Sequence, residues 1–310
     1  MSSNPSLPLR DILDFAGFFA GRLLLGRKTP LLASFKITWR CNLACRGCPF
    51  HRRAKRPGSS MDWDTVRRSL DELAEMGTRI VVFEGGEPFL WRDGGRTLDD
   101  AVLYAKGLFT RVAVTTNGTF PLDGPADILW VSLDGLKETH DRLRSGSFDR
   151  VLKNLRETRH PRVLVHVTVH RENRRELAPL LTMLQDLSSV RGVTFQFFYP
   201  YGQGEAPLSL TRAERQEAIE EIVALKRQGF RILNDESRLR AMAAGSWTCH
   251  DDVLANVDPD GTITQGCYVK NRGSIRCREC GFTPVAEASG AVDLLPGSLR
   301  AGWSVFLSRT

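Results

Sequence analysis

The chain has 310 residues, 42% of them hydrophobic and 25% charged, with a formal net charge of +7. That is the composition of an ordinary soluble globular protein, long enough to bury a full core as one α/β barrel or as a domain with an appendage. Its seven cysteines, odd in number and unevenly spaced, exclude a secreted disulfide framework, and the lack of a signal peptide places them in a reducing cytoplasm.

Residues 12–25 are rich in Ile, Leu and Phe, but Asp11, Asp14 and Arg22 interrupt the stretch. The apolar run is too short to cross a bilayer, which takes about 20 residues. It predicts a helix over residues 1–30, either packed on the body of the protein or lying in a membrane surface through residues 10–27. Packing is the commoner fate of an apolar helical face.

From residue 31 to about 230, strand and helix patterns alternate. Phe35–Trp39 predicts a first strand, and Asp62–Met76 a helix with Asp62 as its cap and Gly77 as its stop. Arg79–Phe83, Arg111–Thr115 and Ile128–Leu133 read as buried strands, with a helix over Thr97–Leu108. A helix over Phe148–Thr158, a strand over Val163–Val169 and a helix over Arg174–Leu187 follow. The last unit is the strand Val193–Phe198 and the helix Thr211–Gln228, stopped by Gly229. Parallel strands joined by helices place reactive groups on loops at the strands' C-terminal ends. Beyond residue 230 the alternation stops. Val253–Asp258 and Thr262–Gln265 flank Pro259-Asp260-Gly261 as a β-hairpin, and the last thirty residues, rich in Gly and Ala, predict nothing.

Cys41, Cys45 and Cys48 lie in Cys-Asn-Leu-Ala-Cys-Arg-Gly-Cys, directly after the first predicted strand. Three thiolates so spaced can hold three irons of a [4Fe–4S] cube and leave the fourth open. A zinc-binding interaction module is the alternative, with His51 as a fourth ligand. The remaining cysteines, Cys249, Cys267, Cys277 and Cys280, surround the hairpin and can hold zinc or a second cluster. The run His51-Arg-Arg-Ala-Lys-Arg56 contains no aromatic stacking platform, so nucleic acid is not the expected partner. It forms either a solvated loop or an electropositive rim for an anionic substrate or an acidic electron donor.

CxxxCxxC at the end of a first strand resembles the signature of the radical S-adenosylmethionine (SAM) superfamily. The resemblance implies a partial (β/α)6 barrel, a SAM-binding [4Fe–4S] cluster and an electron donor such as flavodoxin or ferredoxin. Gly85-Gly86-Glu87-Pro88, one unit later, matches the segment that binds the amino group of SAM. Thr115-Thr116-Asn117-Gly118 and Ser132-Leu133-Asp134-Gly135 close the next two strands. By the resemblance Thr116, Asn117, Ser132, Asp134 and Thr168 contact its ribose and carboxylate. Those residue types equally form turns and caps.

The stretch from Ser132 to Phe148, through His140, Asp141 and Arg144, resembles superfamily members with a SPASM or Twitch extension. The resemblance makes residues 231–310 a Twitch-like region whose four cysteines hold an auxiliary [4Fe–4S] cluster. His140 is expected on a helix surface or at a cap, and no side chain is singled out as catalytic. Gly47 departs from the family, which has an aromatic residue before the third cysteine. The same form resembles that of enzymes like adenosylhopane synthase, which act on an isoprenoid lipid. Two substrates are therefore expected: a peptide or protein side chain, or a lipid or other small metabolite. Against the first, no leader-recognition domain precedes the barrel.

Overall fold

The computed structural model describes residues 9–48, 50–200, 205–270, 277 and 280–308. Helix α1 (Leu9–Leu25) precedes strand β1 (Leu32–Thr38), α2 (Trp63–Glu75) and β2 (Ile80–Gly85). A short hairpin, β3 (Arg92–Asp93) and β4 (Arg96–Thr97), leads to α3 (Leu98–Lys106), β5 (Arg111–Thr116) and β6 (Ile128–Ser132). Next come α4 (Lys137–Leu143), α5 (Phe148–Glu157), β7 (Val163–Val169), α6 (Leu177–Gln185) and β8 (Val190–Phe197). The remainder is α7 (Arg212–Arg227), α8 (Glu236–Ala244), β9 (Leu254–Val257), β10 (Ile263–Gln265), α9 (Thr283–Val292) and α10 (Pro296–Gly302).

One eight-stranded sheet runs in the order β10-β9-β1-β2-β5-β6-β7-β8. From β1 to β8 the six strands are parallel and in chain order, the (β/α)6 arrangement expected from the sequence. The C-terminal hairpin is also present, and it joins this sheet: β9 pairs parallel with β1, Leu32–Phe35 against Leu254–Val257. This second partner explains why β1 begins at Leu32, three residues ahead of the expected start. The expected helix over Arg174–Leu187 begins only at Leu177, because Asn173 turns the chain first, its Oδ1 accepting from His170 N at 2.8 Å.

The two faces of the sheet differ. Phe35, Phe83, Val114, Val131, Val167 and Phe195 point outward into the main core, against Leu70, Val102, Leu155 and Leu181 of the helices. On the inner face, Ile80, Ala113, Ile128 and Leu164 form an apolar floor at the strands' N-terminal ends. Phe18 of α1 and Val305 pack on that floor and close it. Asp11 sits 2.6 Å from Arg111 and Arg22 2.6 Å from Asp252, so α1 is docked by ion pairs as well as by Phe18. Among the described residues no helix is long and apolar enough to cross a membrane.

Two C-terminal helices, α9 and α10, escaped the sequence reading because their glycines serve packing. A Cβ on Gly290 would lie 2.2 Å from Ser298 Oγ, and one on Gly297 2.2 Å from Asp235 Oδ1. Chain composition alone does not distinguish close helix packing from a loose tail.

Candidate active site at the mouth of the barrel

β1 ends at Thr38, and the loop carrying Cys41, Cys45 and Cys48 lies over the C-terminal mouth of the barrel. Arg46 N donates to Leu143 O at 3.0 Å and Ala44 N to Ser145 Oγ at 3.0 Å, fastening the loop to the end of α4. N–H groups face the sulfurs: Leu43 N is 3.5 Å and Asn117 Nδ2 3.8 Å from Cys41 Sγ, while the Phe50 and His51 amides bond Cys48. Burial pushes all three thiols up, Cys45 to about 11, and neighbouring thiols add to the shift at Cys41 and Cys45. Sulfurs so placed need a cationic partner to persist as thiolates. Among the described residues no three His, Cys, Asp or Glu side chains converge on a single ion. A cubane puts each thiolate on a different iron, so three spaced sulfurs, those of Cys41 and Cys48 N–H-bonded, fit it better than they fit zinc.

Gly85 and Gly86 are required by the protein itself. Gly85 has φ +121°, and a Cβ there would lie 2.5 Å from Thr38 O. At Gly86 a Cβ would lie 2.2 Å from Arg40 O, so the end of β2 presses backbone to backbone on the start of the cysteine loop. Glu87 follows this glycine pair. It is fully buried, and its carboxylate accepts from Thr116 Oγ1 at 2.8 Å, Asn117 N at 2.7 Å and Phe89 N at 3.2 Å. Burial raises it to about 7 despite these bonds. Glu87 and Thr116 thus brace β2 against β5, and Pro88 opens the short helical turn Pro88–Leu90. Asn117 does reach the site: its Nδ2 bonds Asn42 Oδ1 at 2.8 Å within the cysteine loop.

Asp134 is also committed within the protein. Its Oδ2 accepts from Arg144 Nε at 2.6 Å and its Oδ1 from Thr168 N at 2.8 Å. Burial pushes Asp134 up, but Arg144 and His170 outweigh it and hold the carboxylate below its ordinary value. Thr168 also accepts from Asn173 Nδ2 at its carbonyl and from Gln196 Nε2 at its hydroxyl. Ser132 lies at the end of β6, in register with His166. His140 is neither on a surface nor a cap. It is fully buried, accepting from Asp134 N at Nδ1 (3.3 Å) and bonding Ser147 Oγ through Nε2 (3.0 Å). Burial lowers it to about 4, so it stays neutral and holds the Asp134 turn.

Two functional candidates were missed by the sequence reading. Arg144 is a half-buried guanidinium anchored by Asp134, within electrostatic reach of Cys45, Cys48 and Glu87. Its only sequence signal was its place in the Ser132–Phe148 stretch. Lys36 lies on the inner face of β1, 2% exposed, 3.1 Å from Asn256 Oδ1 and 3.6 Å from Glu84. A lone lysine between Phe35 and Ile37 was the signal, since a buried lysine requires partners. With Ser132, His166, Thr194 and Gln196, it makes the upper inner wall polar above the apolar floor.

Gly47 is explained by Phe198. A Cβ on Gly47 would lie 2.9 Å from Phe198 Cε2 and 3.3 Å from Leu208 Cδ1. The ring that the family carries on the loop is displaced by one arriving from just beyond β8.

In the second group, Cys267, Cys277 and Cys280 lie within electrostatic reach of Cys249. Burial pushes the Cys249 thiol up to about 12, with Asp251, Cys280, Cys267 and Cys277 adding to the shift. Residues 271–276, 278 and 279 lie outside the described residues. Tyr268, beside Cys267, stacks edge-on to Phe50 at 5.9 Å, and Lys36 Nζ lies 4.2 Å from its ring centre. The basic run divides: Arg52, Lys55 and Arg56 are exposed beside the cysteine loop, while Arg53 turns inward to Tyr268.

The family model of the radical SAM superfamily matches residues 35–184. The chain is 24% identical over 282 residues to the AdoMet-dependent heme synthase of Methanosarcina barkeri, covering 83% of this chain and 78% of that one. It is 29% identical over 268 residues to the mycofactocin maturase MftC of Mycobacterium tuberculosis, covering 81% and 64%. It spans 52% and 55% of two further curated relatives, about half their length. In fold it is similar to Streptococcus suis SuiB bound to precursor peptide SuiA, with a TM-score of 0.65 and 14% identity over 92% of this chain and 72% of that one. With three cysteines at the mouth of a parallel half-barrel, these matches show that residues 35–184 form a radical SAM domain, the domain of enzymes that use a [4Fe–4S] cluster and SAM.

Proposed function

We propose that this enzyme cleaves SAM reductively and abstracts hydrogen from a peptide or protein side chain. One observation carries the reading: a loop with three cysteines, two of them N–H-bonded, sits at the mouth of the barrel, beside a half-buried guanidinium oriented by Asp134. When bound, the reduced cluster and SAM supply a 5′-deoxyadenosyl radical, the difficult chemistry that a cofactor contributes. Cys41, Cys45 and Cys48 would hold that cluster.

The chain's own residues orient and exclude water. Arg144, fixed by Asp134, presents a charged fork suited to the SAM carboxylate. Gly85, Gly86, Asn117 and Ser132 would line the nucleotide, with Glu87, Pro88, Thr116 and Thr168 as positioning residues behind them. Phe198 takes the place of the missing loop aromatic. Cys249, Cys267, Cys277 and Cys280 would hold an auxiliary [4Fe–4S] cluster, and the rim of Arg52, Lys55 and Arg56 suits an acidic electron donor.

A peptide substrate is supported by the maturase relative and by the fold of SuiB, which is described with its precursor peptide. A small metabolite is the second reading, favoured by the heme synthase relative. The test is anaerobic reconstitution with iron and sulfide, followed by dithionite reduction in the presence of SAM. Cys41→Ala, Cys45→Ala or Cys48→Ala should abolish deoxyadenosine formation. Cys267→Ala or Cys280→Ala should lose product while retaining SAM cleavage. Reconstituted wild-type protein that leaves SAM intact would refute the reading.

A further inference from the structure

The surface of α1 turned away from the barrel is apolar along its length. Leu9, Ile12, Leu13, Leu23 and Leu24 are exposed on it, and Leu25 at the helix end, six of the eleven exposed large hydrophobic residues found among the described residues. Between them that face carries only Ala16, Gly17 and Ala20. The stripe is about 24 Å long. Both acidic residues of the helix are engaged elsewhere: Asp11 is paired with Arg111, and Asp14 accepts from Thr110 and lies 3.9 Å from Arg10. Arg22 is turned inward to Asp252. The exposed cations near the ends of the stripe are Arg10 in its first turn, 3.9 Å from Asp14, and Arg27 and Lys28 after it.

Apolar side chains on one face with cations at both ends fit the interface of an anionic bilayer. A protein partner would call for no such polarity of charge. Trp303, 49% exposed, opens the final helical turn, Trp303–Leu307, whose Phe306 O accepts from Arg111 Nε at 2.7 Å. Tryptophan favours the headgroup layer. We propose that α1 lies in the surface of a bilayer containing anionic lipid and holds the barrel there by its floor. Cys41, Cys45 and Cys48 are then about 20 Å away, at the opposite ends of the strands. The reactive mouth faces the aqueous side, so substrate arrives from solution and not from the bilayer that anchors the enzyme.

Vesicle flotation of the full chain tests this independently of its chemistry. Phosphatidylcholine vesicles containing phosphatidylglycerol should carry the protein, and pure phosphatidylcholine should carry it at least tenfold less. Raising the salt should release it. Leu13→Glu with Leu24→Glu should abolish flotation, and Arg27→Glu with Lys28→Glu should weaken it on the order of tenfold. Both variants should keep the wild-type circular dichroism and deoxyadenosine formation. If the leucine variant fails to fold, the charge variant decides. The proposal is overturned if anionic vesicles do not float the wild type, or if neither variant alters flotation. It is equally overturned if light scattering shows a dimer that the leucine variant dissociates, because the stripe would then be covered by a second copy.

Discussion

Arg53 donates from Nη1 to the phenolic oxygen of Tyr268 at 2.6 Å, joining the segment after Cys48 to the residue after Cys267. Around that bond Trp39 stacks on Phe50 at 5.0 Å, and the Arg53 guanidinium lies 5.2 Å from the Trp39 ring centre. The two cysteine groups, more than 200 positions apart in sequence, are thus tied by one aromatic and cationic bracket.

Tyr268→Phe should keep the ring contacts and lose the bond, costing about 1–2 kcal/mol. Deoxyadenosine formation should persist while product formed per deoxyadenosine falls. Tyr268→Ala, which also removes the surface beneath Lys36, should uncouple the two more completely. Product and deoxyadenosine quantified in one assay check this; an unchanged ratio in both variants would count against the bracket.

Gly47→Phe should overpack the loop against Phe198 and Leu208, costing about 1–3 kcal/mol and weakening SAM binding. Combining it with Phe198→Ala should recover most of the loss, because the two rings compete for one space. A double-mutant cycle on thermal midpoint and SAM affinity measures the coupling. Additive losses would show that the rings do not share the site.

Asp134→Asn should be the more damaging change at the buried ion pair, since it leaves the Arg144 guanidinium without its counter-charge, at about 3–5 kcal/mol. Arg144→Lys keeps the charge but not the planar fork, so it should fold and require roughly tenfold more SAM. Denaturant titration separates the first effect, and the SAM dependence of deoxyadenosine formation the second.

Glu287, far from both cysteine groups in its contacts, governs a pH dependence of stability. Burial pushes it up to about 8, with Asp235 opposing its ionisation, although Asp235 N donates to its Oε1 at 2.7 Å. A carboxyl raised in the folded state binds more protons there than when unfolded. Its contribution is therefore fully present below the ordinary glutamate range and is lost as pH rises through about 8. Urea midpoints at acidic and alkaline pH should show the wild type losing roughly 1–4 kcal/mol across that window. Glu287→Gln should flatten the slope; equal slopes would show that Glu287 is not its source.

The sequence by itself determined the six βα units, the α2 boundaries, the C-terminal hairpin and the cysteine loop. Each is encoded within a short window, by period-two or period-3.6 apolar residues, by caps such as Asp62, or by cysteine spacing. Tertiary structure decided what the polar residues at the strand ends do. Glu87, Asp134 and Thr168 meet partners from elsewhere in the chain, Thr116, Arg144 and Gln196, which hold these side chains in place around the site. Lys36 is buried only because sheet register sets Glu84 beside it and β9 delivers Asn256. Gly47 has meaning only against Phe198, about 150 positions away. Local pattern reports backbone periodicity, whereas the worth of a buried charge or a missing Cβ depends on which distant atoms folding brings into contact with it.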